Sequence, residues 1–500
     1  MFNFLGLIKT KKKNPIYLYN TLTRKKDLFK PIKSGEVLFY QCGPTVYWTQ
    51  HLGNMRAMVM ADLVDRTFKY FGYDVKFVRN YTDVGHLTSD QDFGEDKLEK
   101  ASKRENISPK EISEKYIKIF ENDVNELNTL PPDFKPKATD YIGEIIDMIK
   151  ILLDKGFAYS TDLAIYFDIS KAKDYTKLSK QNLEENISGA GSANIEDSQK
   201  KHPADFSVWF FKAGGHKNAL QYWKSPFSSR LVENGEGFPG WHIECSAMIR
   251  KLLGKTIDLH MGGIEHVSVH HTNEIAQSEA VNGVPLADYW LHNEWLITNN
   301  NKMSKSEGTS FSLNEVKEKG FNPLALRFFF LQAHYRSRQN FTWEALEAAQ
   351  TGYKNLLYQT SSLEDKVGDV DQKFKKEFSE KIADDFNTPQ ALAVLFEMLK
   401  SNIPIANKLA TAKDFDDVLG LKLTSYVLKG KYKIKIDDKV VSTIVFRGTE
   451  INNEVAKIGE KRYFAREEKN WAKSDELRDK IRELGYEIKD TPTGQEIKKK

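Results

Sequence analysis

The chain has 500 residues, of which 40% are hydrophobic and 12% aromatic, a composition that excludes a disordered protein. Its 74 basic side chains nearly balance 70 acidic ones, and a net charge of +4 excludes blanket electrostatic attachment to nucleic acid. No apolar run approaches the roughly 20 residues of a membrane span, and two cysteines exclude a disulfide framework, so we expect a cytoplasmic protein of several domains.

The first predicted elements form a βαβ unit. VLFYQ (37–41) predicts a buried strand, and apolar residues at steps of three and four predict a helix from about Gly53 to Phe71. Gly72 ends this helix, and DVKFVRN (74–80) predicts a second strand. This order indicates a parallel sheet whose strand ends face a ligand crevice.

The middle of the chain is more polar and indicates an insertion at about residues 90–230. A short strand signal occurs inside it at LAIYFDIS (163–170). The βα rhythm returns at TIDLH (256–260), before a helix across 270–280 that Asn282-Gly283 ends.

Helices dominate the sequence from about residue 310 onward. Asn322-Pro323 and Thr388-Pro389 are signals for a cap followed by a first turn. From about residue 455 the pattern predicts one long charged helix, followed by a turn at TPTG (491–494).

His51-Leu52-Gly53-Asn54 lies where the first strand gives way to the first helix. A helix N-terminus offers unpaired N–H groups and a positive dipole end, both suited to phosphate. Glycine allows a nucleotide to approach the backbone, and histidine can donate to phosphate oxygens. Taken alone the pattern is weak, because an ordinary N-cap with a solvent-facing histidine explains it equally well.

The segment NNKMSKSEG (300–308) places Lys302 and Lys305 three residues apart among small polar residues. Such a loop can close on a leaving pyrophosphate and neutralise charge in the transition state. A solvated surface loop is the ordinary explanation for lysines of this kind. The pairing of an early His-x-Gly-x with a late Lys-Met-Ser-Lys-Ser is rarer than either motif. It resembles the class I aminoacyl-tRNA synthetases, in which an amino-acid carboxylate attacks the α-phosphate of ATP.

The two cysteines belong to a candidate metal set. Cys245 lies in PGWHIECSAM (239–248), and His270 and Glu274 are four apart, on one helical face. With Cys42 they offer two thiols, an imidazole and a carboxylate, all of which Zn²⁺ accepts. Two buried apolar cysteines and a capping histidine would explain the same residues.

CGPTVYxxxHxGN, PGWHIECSAM and HHTNEIAQSEA, followed by the lysine loop, resemble the cysteinyl-tRNA synthetase family of bacterial type. The similarity runs from NTLTRKKDLFKPIKSGEV (20–37) to DTPTG (490–494). It includes HYRSRQNFTWEALEAA (334–349), DDFNTPQALAVLF (384–396) and REEKNWAKSDELRDKI (466–481). The resemblance implies an α/β protein: a Rossmann-like catalytic domain with a parallel sheet and an inserted connective subdomain, then a helical bundle and a small C-terminal anticodon-binding domain.

The resemblance also implies domain boundaries. It gives an N-terminal extension at 1–19, a catalytic domain at 20–310 interrupted at about 90–230, a stem-contact segment at 311–360 after the lysine loop, a helical bundle at 361–440 and an anticodon-binding domain at 441–500.

The implied activity is that of an AMP-forming ligase. It would make cysteinyl-adenylate from cysteine and ATP with Mg²⁺, then transfer cysteine to the 3′ end of tRNA(Cys). One zinc ion per chain, held by Cys42, Cys245, His270 and Glu274, would ligate the substrate thiolate. A thiol loses its proton on zinc easily and a serine hydroxyl does not, so the site should need no editing domain. We expect a monomer with no membrane partner.

The resemblance further implies roles for individual residues. His51, Gly53, Asn54, Lys302 and Lys305 would serve catalysis, and all of these except Lys302 would bind ATP. The cysteine pocket would include Thr82, Trp241, His242 and Glu265, and the anticodon would be read by Arg466, Asp475 and Asp490. Two positions depart from the family pattern: Asn54 replaces a common histidine, and Glu265 replaces a usual aspartate.

Two other interpretations stay open. The first is an ATP-dependent ligase that joins cysteine to an amino sugar, which would resemble the catalytic half but lack the C-terminal segments quoted above. The second is a paralogue that binds tRNA or zinc without catalysis, which the intact His-Leu-Gly and lysine-loop motifs disfavour.

Overall fold

A computed structural model describes residues 15–84, 96–181, 197–298, 301–302, 310–361, 368–423, 431–436, 439–447, 449, 451–491 and 494–500. The chain divides into two compact units. The first comprises Met1–Gly320, Ala333–Phe341 and Ala383–Phe386, and the second comprises Phe321–Gln332, Thr342–Ile382 and Asn387–Lys500. None of the helices in these described ranges is long and apolar enough to cross a membrane.

The elements are numbered in chain order. Up to Lys302 they are β1 (Tyr17–Asn20), β2 (Lys25–Leu28), β3 (Glu36–Gln41), α1 (Leu52–Tyr70), β4 (Asp74–Arg79), α2 (Lys97–Glu105), α3 (Pro109–Glu126), α4 (Ile142–Asp154), β5 (Ala158–Ser160), β6 (Ala164–Phe167), β7 (Phe206–Phe211), β8 (Trp223–Lys224), β9 (Glu236–Pro239), α5 (Trp241–Leu252), β10 (Ile257–Gly263), α6 (His270–Asn282), β11 (Ala287–Asn293), β12 (Leu296–Thr298) and β13 (Asn301–Lys302).

After residue 310 they are α7 (Leu313–Glu318), α8 (Pro323–Leu331), β14 (Gln339–Phe341), α9 (Trp343–Ser361), α10 (Gln372–Ala383), α11 (Thr388–Lys400), α12 (Ile405–Leu419), β15 (Lys431–Ile436), β16 (Lys439–Arg447), α13 (Asn453–Glu467), α14 (Trp471–Glu483), β17 (Tyr486–Thr491) and β18 (Gly494–Lys499).

The first unit contains a four-stranded parallel sheet in the order β11-β10-β3-β4. Its strands are mostly buried, as expected for apolar runs in a sheet covered on both faces. The predicted βαβ unit, the strand at TIDLH and the helix after it are confirmed as β3-α1-β4, β10 and α6. Gly283 ends α6 in the left-handed conformation, at φ 71°, which glycine adopts without steric cost.

The segment between β4 and β10 contains a five-stranded sheet in the order β5-β6-β7-β9-β8, in which every pairing is antiparallel. Its core includes the fully buried Trp209 and the apolar side of α4. β9 ends at Pro239 and α5 begins two residues later at Trp241. The last strand of the insertion therefore leads directly into α5, which contains Cys245 and precedes β10 of the parallel sheet.

The C-terminal segment differs from its prediction in one respect. The single long charged helix expected from residue 455 is wrong, because the structure has two helices, α13 and α14. Lys469 between them takes a left-handed conformation at φ 57°, and the Asn470 side chain caps α14 by accepting from Lys473 N. The helices pack with a sheet in the order β15-β16-β18-β17 around a core that includes Ile444 and Ile497.

Two helix starts were predicted from Asn-Pro and Thr-Pro pairs. Asn322 caps α8, as predicted, by accepting from Leu324 N. For α11 the cap is Asn387, and Thr388 is the first helical residue rather than the cap.

Candidate functional site

The carboxyl ends of the parallel strands open onto a cavity of about 450 Å³. β3 and β10 are neighbours in the sheet, but their connections lead to opposite edges, which creates a crevice between their ends. Nine residues singled out from the sequence line this cavity: Cys42, His51, Gly53, Asn54, Thr82, Trp241, Cys245, Glu265 and His270.

His51 is the N-cap of α1. Its Nδ1 accepts hydrogen bonds from Gly53 N at 3.0 Å and Asn54 N at 3.3 Å. Leu52 N donates to Phe311 O, and Met55 N donates to His51 O. The first four N–H groups of α1 are thus engaged within the chain. The expectation of unpaired N–H groups at this helix start is therefore wrong, and a phosphate here would meet side chains.

Gly53 lies under the His51 ring. A Cβ at this position would approach His51 Cε1 to 2.8 Å and Nδ1 to 2.9 Å, closer than real Cβ contacts. A side chain would therefore displace the ring from its cap. Glycine is needed here for the cap itself, in addition to the nucleotide approach inferred from the sequence.

Cys42, Cys245, His270 and Glu274 form a buried group whose ligand atoms all lie within 4.8 Å of one another. Cys42 follows β3, Cys245 lies on α5, and the other two lie one turn apart on α6. His270 Nε2 is 2.9 Å from Glu274 Oε1, and Cys42 Sγ is 3.6 Å from the same oxygen. Three segments that are distant in sequence therefore bring the four predicted ligands together.

The charges of this group depend on one another. A hydrogen bond from Cys42 lowers the pKa of the Cys245 thiol to about 6, whereas burial raises that of Cys42 well above its usual value. Burial disfavours a charged His270, but the neighbouring Glu274 carboxylate outweighs it and raises the His270 pKa to about 10. Burial also opposes ionisation of Glu274, yet His260 and His270 hold its pKa below its usual value. Two negative charges, on Cys245 and Glu274, therefore face one positive charge, on His270, and all three side chains are buried.

Three further histidines surround this group, and sequence reasoning gave them no role. His260 Nε2 lies 2.9 Å from Glu274 Oε2, and His271 Nε2 lies 3.3 Å from Cys42 Sγ. His271 Nδ1 lies 2.8 Å from His292 Nε2. Burial lowers the pKa of both His271 and His292 well below the usual value, which keeps them neutral. A second set, Cys42, His260, His271 and Glu274, also meets the spacing for a metal.

The four predicted cysteine-pocket residues lie around the same cavity, though not all on its wall. Thr82 is buried and accepts from Asn80 Nδ2 at 3.3 Å. Trp241 stacks on the His270 ring at 4.3 Å, and His242 Nδ1 lies behind that ring, 3.0 Å from His270 Nδ1. Glu265 accepts from Trp295 Nε1 at 2.9 Å, so its longer side chain has a partner on the rim.

The two predicted lysines lie at the edge of what the structure describes. Lys302 is the last residue of β13, where its backbone pairs with Ile297 of β12. Its side chain and the whole of Lys305 lie outside the described residues. β12 pairs in parallel with β14, so the strand that leads into the lysine segment is held by residues 339–341.

The three residues predicted to read the anticodon lie on three elements of the C-terminal sheet and its helices. Arg466 on α13 is 3.2 Å from Asp490 on β17, and the buried Arg462 grips the same carboxylate with two hydrogen bonds. Asp475 on α14 pairs with Arg478. The expectation that Arg466 and Asp475 share one helix is wrong, because Lys469 separates α13 from α14.

Trp471 was missed by sequence reasoning. It begins α14 with 55% of its surface exposed, and the Arg466 guanidinium lies 5.3 Å from its ring centroid. An exposed aromatic face of this kind suits an unstacked base. Its place in NWAKSDE, beside the charged residues already chosen, was the available signal.

Comparison with known proteins places this chain among synthetases. The family described as the tRNA synthetases class I (C) catalytic domain matches residues 28–351, and the DALR domain family matches residues 377–424. The cysteine–tRNA ligase of Treponema denticola is 41% identical, covering 95% of this chain and 97% of the relative. Cysteine–tRNA ligase 1 of Burkholderia lata is 40% identical, covering 97% of each. The chain belongs to the cysteine–tRNA ligase family.

Among solved structures, the fold resembles methionyl-tRNA synthetase of Mycobacterium tuberculosis in complex with methionyl-adenylate. The TM-score is 0.50 at 13% identity, over 79% of this chain and 91% of that one. At this identity the likeness shows the class I synthetase fold alone. Together with family membership, it confirms the predicted fold class and that the chain is an aminoacyl-tRNA synthetase.

Proposed function

We propose that this synthetase attaches cysteine to tRNA(Cys) in two steps: ATP-dependent formation of cysteinyl-adenylate and transfer to the 3′ end of the tRNA. The observation that carries the proposal is the juxtaposition of the buried Cys42, Cys245, His270 and Glu274 group with the His51 end of α1 on one cavity. The same wall thus offers soft thiol ligands and a nucleotide-binding helix start.

The four residues fit one zinc ion. Two thiolates, an imidazole and a carboxylate form a donor set that Zn²⁺ accepts. Buried carboxylates and thiolates need a cation, since unpaired charge is costly away from water. Behind the set, His242 lies against His270 Nδ1, and His260 holds Glu274 Oε2, so the outer atoms of both ligands are oriented. When bound, zinc would select cysteine by ligating its thiolate.

The residues of this chain would do the rest of the first step. Thr82, Trp241 and Glu265 would surround the amino acid, and the Glu265 carboxylate would receive its ammonium group. His51 accepts at Nδ1, which leaves Nε2 to carry the proton in the neutral ring and to donate toward ATP. Asn54 would donate from its amide, and Lys302 and Lys305 would offset charge on the departing pyrophosphate.

The second unit would recognise the tRNA. Arg466 can donate to guanine acceptors, and the Asp475 and Asp490 carboxylates can accept from base amino groups. Arg462 already donates to the Asp490 carboxylate from both of its terminal nitrogens, Nη1 and Nη2, which holds that carboxylate in one orientation. We also propose the domain boundaries given above, a cytoplasmic monomer, and ATP used with Mg²⁺.

Charging assays test the proposal. Purified full-length protein should support ATP–pyrophosphate exchange with cysteine and with no other of the twenty amino acids. It should charge a total tRNA pool with cysteine only. Cysteine-dependent exchange without tRNA charging, but with consumption of an amino sugar, would instead indicate the cysteine–amino-sugar ligase. Absence of exchange with every amino acid would indicate a non-catalytic paralogue.

A further inference from the structure

Lys97 lines the same cavity, and we infer that its ammonium group binds the carboxylate of the amino-acid substrate. This inference rests on the proposed function and extends it to a residue without an assigned role. Among the cavity-lining residues that the structure describes, Lys97 is the one lysine or arginine. The substrates that must meet there are anions, so a fixed positive charge on the wall has a direct electrostatic consequence.

The position of Lys97 along the cavity is given by Tyr47. The Lys97 Nζ lies 5.9 Å from the centroid of the Tyr47 ring. Tyr47 belongs to the loop that runs from Cys42 to His51, and both ends of that loop line the cavity. Lys97 therefore lies beside the loop that joins Cys42 of the metal group to the helix start at His51.

The helix dipole of α2 does not favour a lysine at this position. Lys97 is the first residue of α2, where the helix dipole is positive and disfavours a cation. Of the other basic residues of the helix, Lys103 and Arg104 lie in its last turn, where the dipole favours them, and Lys100 is exposed on its outer surface. The helix dipole therefore does not favour a cation at Lys97, whereas the anionic substrates of the cavity do. Asp96, which caps α2 through two backbone N–H groups, fixes where the helix begins.

The geometry of the reaction determines which group Lys97 meets. Cysteine would have its thiol at Cys42 and Cys245, and the α-phosphate would lie near His51. The carboxylate must then lie between these two ends. A carboxylate oxygen forms the new bond to the α-phosphorus, the bond from that phosphorus to the bridging oxygen breaks, and pyrophosphate leaves without any proton transfer. Lys97 would hold the carboxylate and offset the repulsion between the two anions as they approach.

Cysteine and cysteamine separate the carboxylate from the rest of the substrate, since cysteamine keeps the thiol and the amine. Calorimetry on full-length protein would give the Kd of each compound for wild type and for Lys97→Met. The substitution should raise the Kd for cysteine roughly 10- to 100-fold, as loss of one charged hydrogen bond does. The Kd for cysteamine should stay unchanged. Lys97→Arg should retain most of the cysteine affinity.

Lys100→Met is the matched control, because Lys100 lies on the same helix, is exposed and does not line the cavity. It should change neither Kd. Equal weakening of both compounds by Lys97→Met, or no weakening of either, would overturn the inference. A wild-type protein without cysteine-dependent pyrophosphate exchange contradicts the proposed function itself, and the inference then falls with it. If wild-type exchange is normal but Lys97→Met leaves the ratio of the two Kd values unchanged, the inference alone is contradicted.

Discussion

The imidazole of His51 serves local structure and proposed chemistry with different atoms. Nδ1 caps α1, and this hydrogen bonding assigns the proton of the neutral ring to Nε2. A residue that only capped the helix could be replaced by asparagine, which is among the best N-caps. The two tasks can therefore be separated by choosing the substitution.

We expect His51→Ala to lower the free energy of unfolding by about 1 kcal/mol, the usual value of a side-chain cap, and His51→Asn to leave it nearly unchanged. Both should slow adenylate formation roughly 10²-fold, because both remove the Nε2 donor. Urea unfolding and ATP–pyrophosphate exchange measure the two effects. Exchange near wild type in His51→Asn would show that the ring acts only as a cap.

Cys245 provides the corresponding test of the metal group. Its thiol is fully buried and lies within 4.8 Å of the other three donor atoms. Cys245→Ser should reduce bound zinc from one per chain and abolish cysteine activation, while ATP binding survives because His51 and Asn54 are untouched. Elemental analysis and nucleotide titration give the two readouts. Full activity in wild-type protein that contains no zinc would contradict the metal role.

Asp123 gives a prediction about pH. It is buried in α3, its Oδ2 has no hydrogen-bond partner among the residues that the structure describes, and burial raises its pKa from 3.8 to about 6. Between these two values the unfolded chain loses this proton and the folded one keeps it, so stability falls as pH rises and the full cost is reached above pH 6. Asp123→Asn removes that cost.

The gain in unfolding free energy for Asp123→Asn should be near zero at pH 4 and about 1–2 kcal/mol at pH 8. Denaturant titrations of wild type and variant at both values measure it, and subtraction removes the contribution of other groups. The exposed Asp147→Asn is the control. A difference that stayed constant across this range would contradict the assigned cause.

At the level of elements, one buried arginine joins α1 to the segments that precede β12 and β14. Arg56 on α1 donates to Glu294 O, just before β12, and to His334 O at 3.1 Å and Ser337 O at 2.9 Å. The segment it holds leads into β14, which pairs with β12. The HYRSR segment thus positions the strand that leads into the lysine loop.

The DDFN segment (384–387) also binds the HYRSR segment, through Asp385. Asp385 accepts from Tyr19 N, from Tyr335 OH at 2.8 Å and from Arg336 Nε at 2.8 Å. Asp385 and Phe386 both have positive φ, at 60° and 56°, a conformation that costs free energy and persists only where contacts impose it. Two motifs that carried the family resemblance therefore share a structural task, since together they hold the segment that leads into β14.

Arg56→Met should lower the free energy of unfolding by about 3 kcal/mol or more, because three partly buried carbonyls lose the donor that this fully buried side chain supplies. Denaturant unfolding measures the loss. Arg104→Met, which changes an exposed side chain, should cost far less. A loss below about 1 kcal/mol for Arg56→Met would mean that water replaces the guanidinium at little cost.

The sequence predicted those parts of the fold that depend on near neighbours. The helix α1, the strands β3, β4 and β10, and the start of α8 follow from periodicity and caps. The break between α13 and α14 was hidden because an exposed lysine, Lys469, rather than a glycine takes the left-handed conformation there. His260, His271 and His292 escaped notice because their contacts with Glu274, with Cys42 and with one another form only after three strands and a helix are assembled.

For the whole molecule, the division into units separates the candidate chemistry from the proposed tRNA recognition. Every residue assigned to the cavity lies in the unit that includes Met1–Gly320, and Arg466, Asp475 and Asp490 lie in the other. β15 pairs with β16, so the C-terminal sheet begins at Lys431, earlier than the residue 441 expected for that domain. A cut after Leu423 would therefore remove the whole sheet rather than split it.

A chain ending at Leu423 should retain cysteine-dependent ATP–pyrophosphate exchange, because the parallel sheet, the insertion and the metal group all precede the cut. It should charge tRNA(Cys) roughly 10²-fold less efficiently or worse, since contacts to bases contribute about 1–3 kcal/mol each and all three proposed anticodon contacts are lost. Arg466→Ala in the full chain is the finer comparison. It should reduce charging without changing exchange, and its partner Asp490 remains held by Arg462. Steady-state charging and exchange rates of the three proteins measure these effects. If the shortened chain charged tRNA as well as the full one, the C-terminal sheet would serve some purpose other than reading the anticodon.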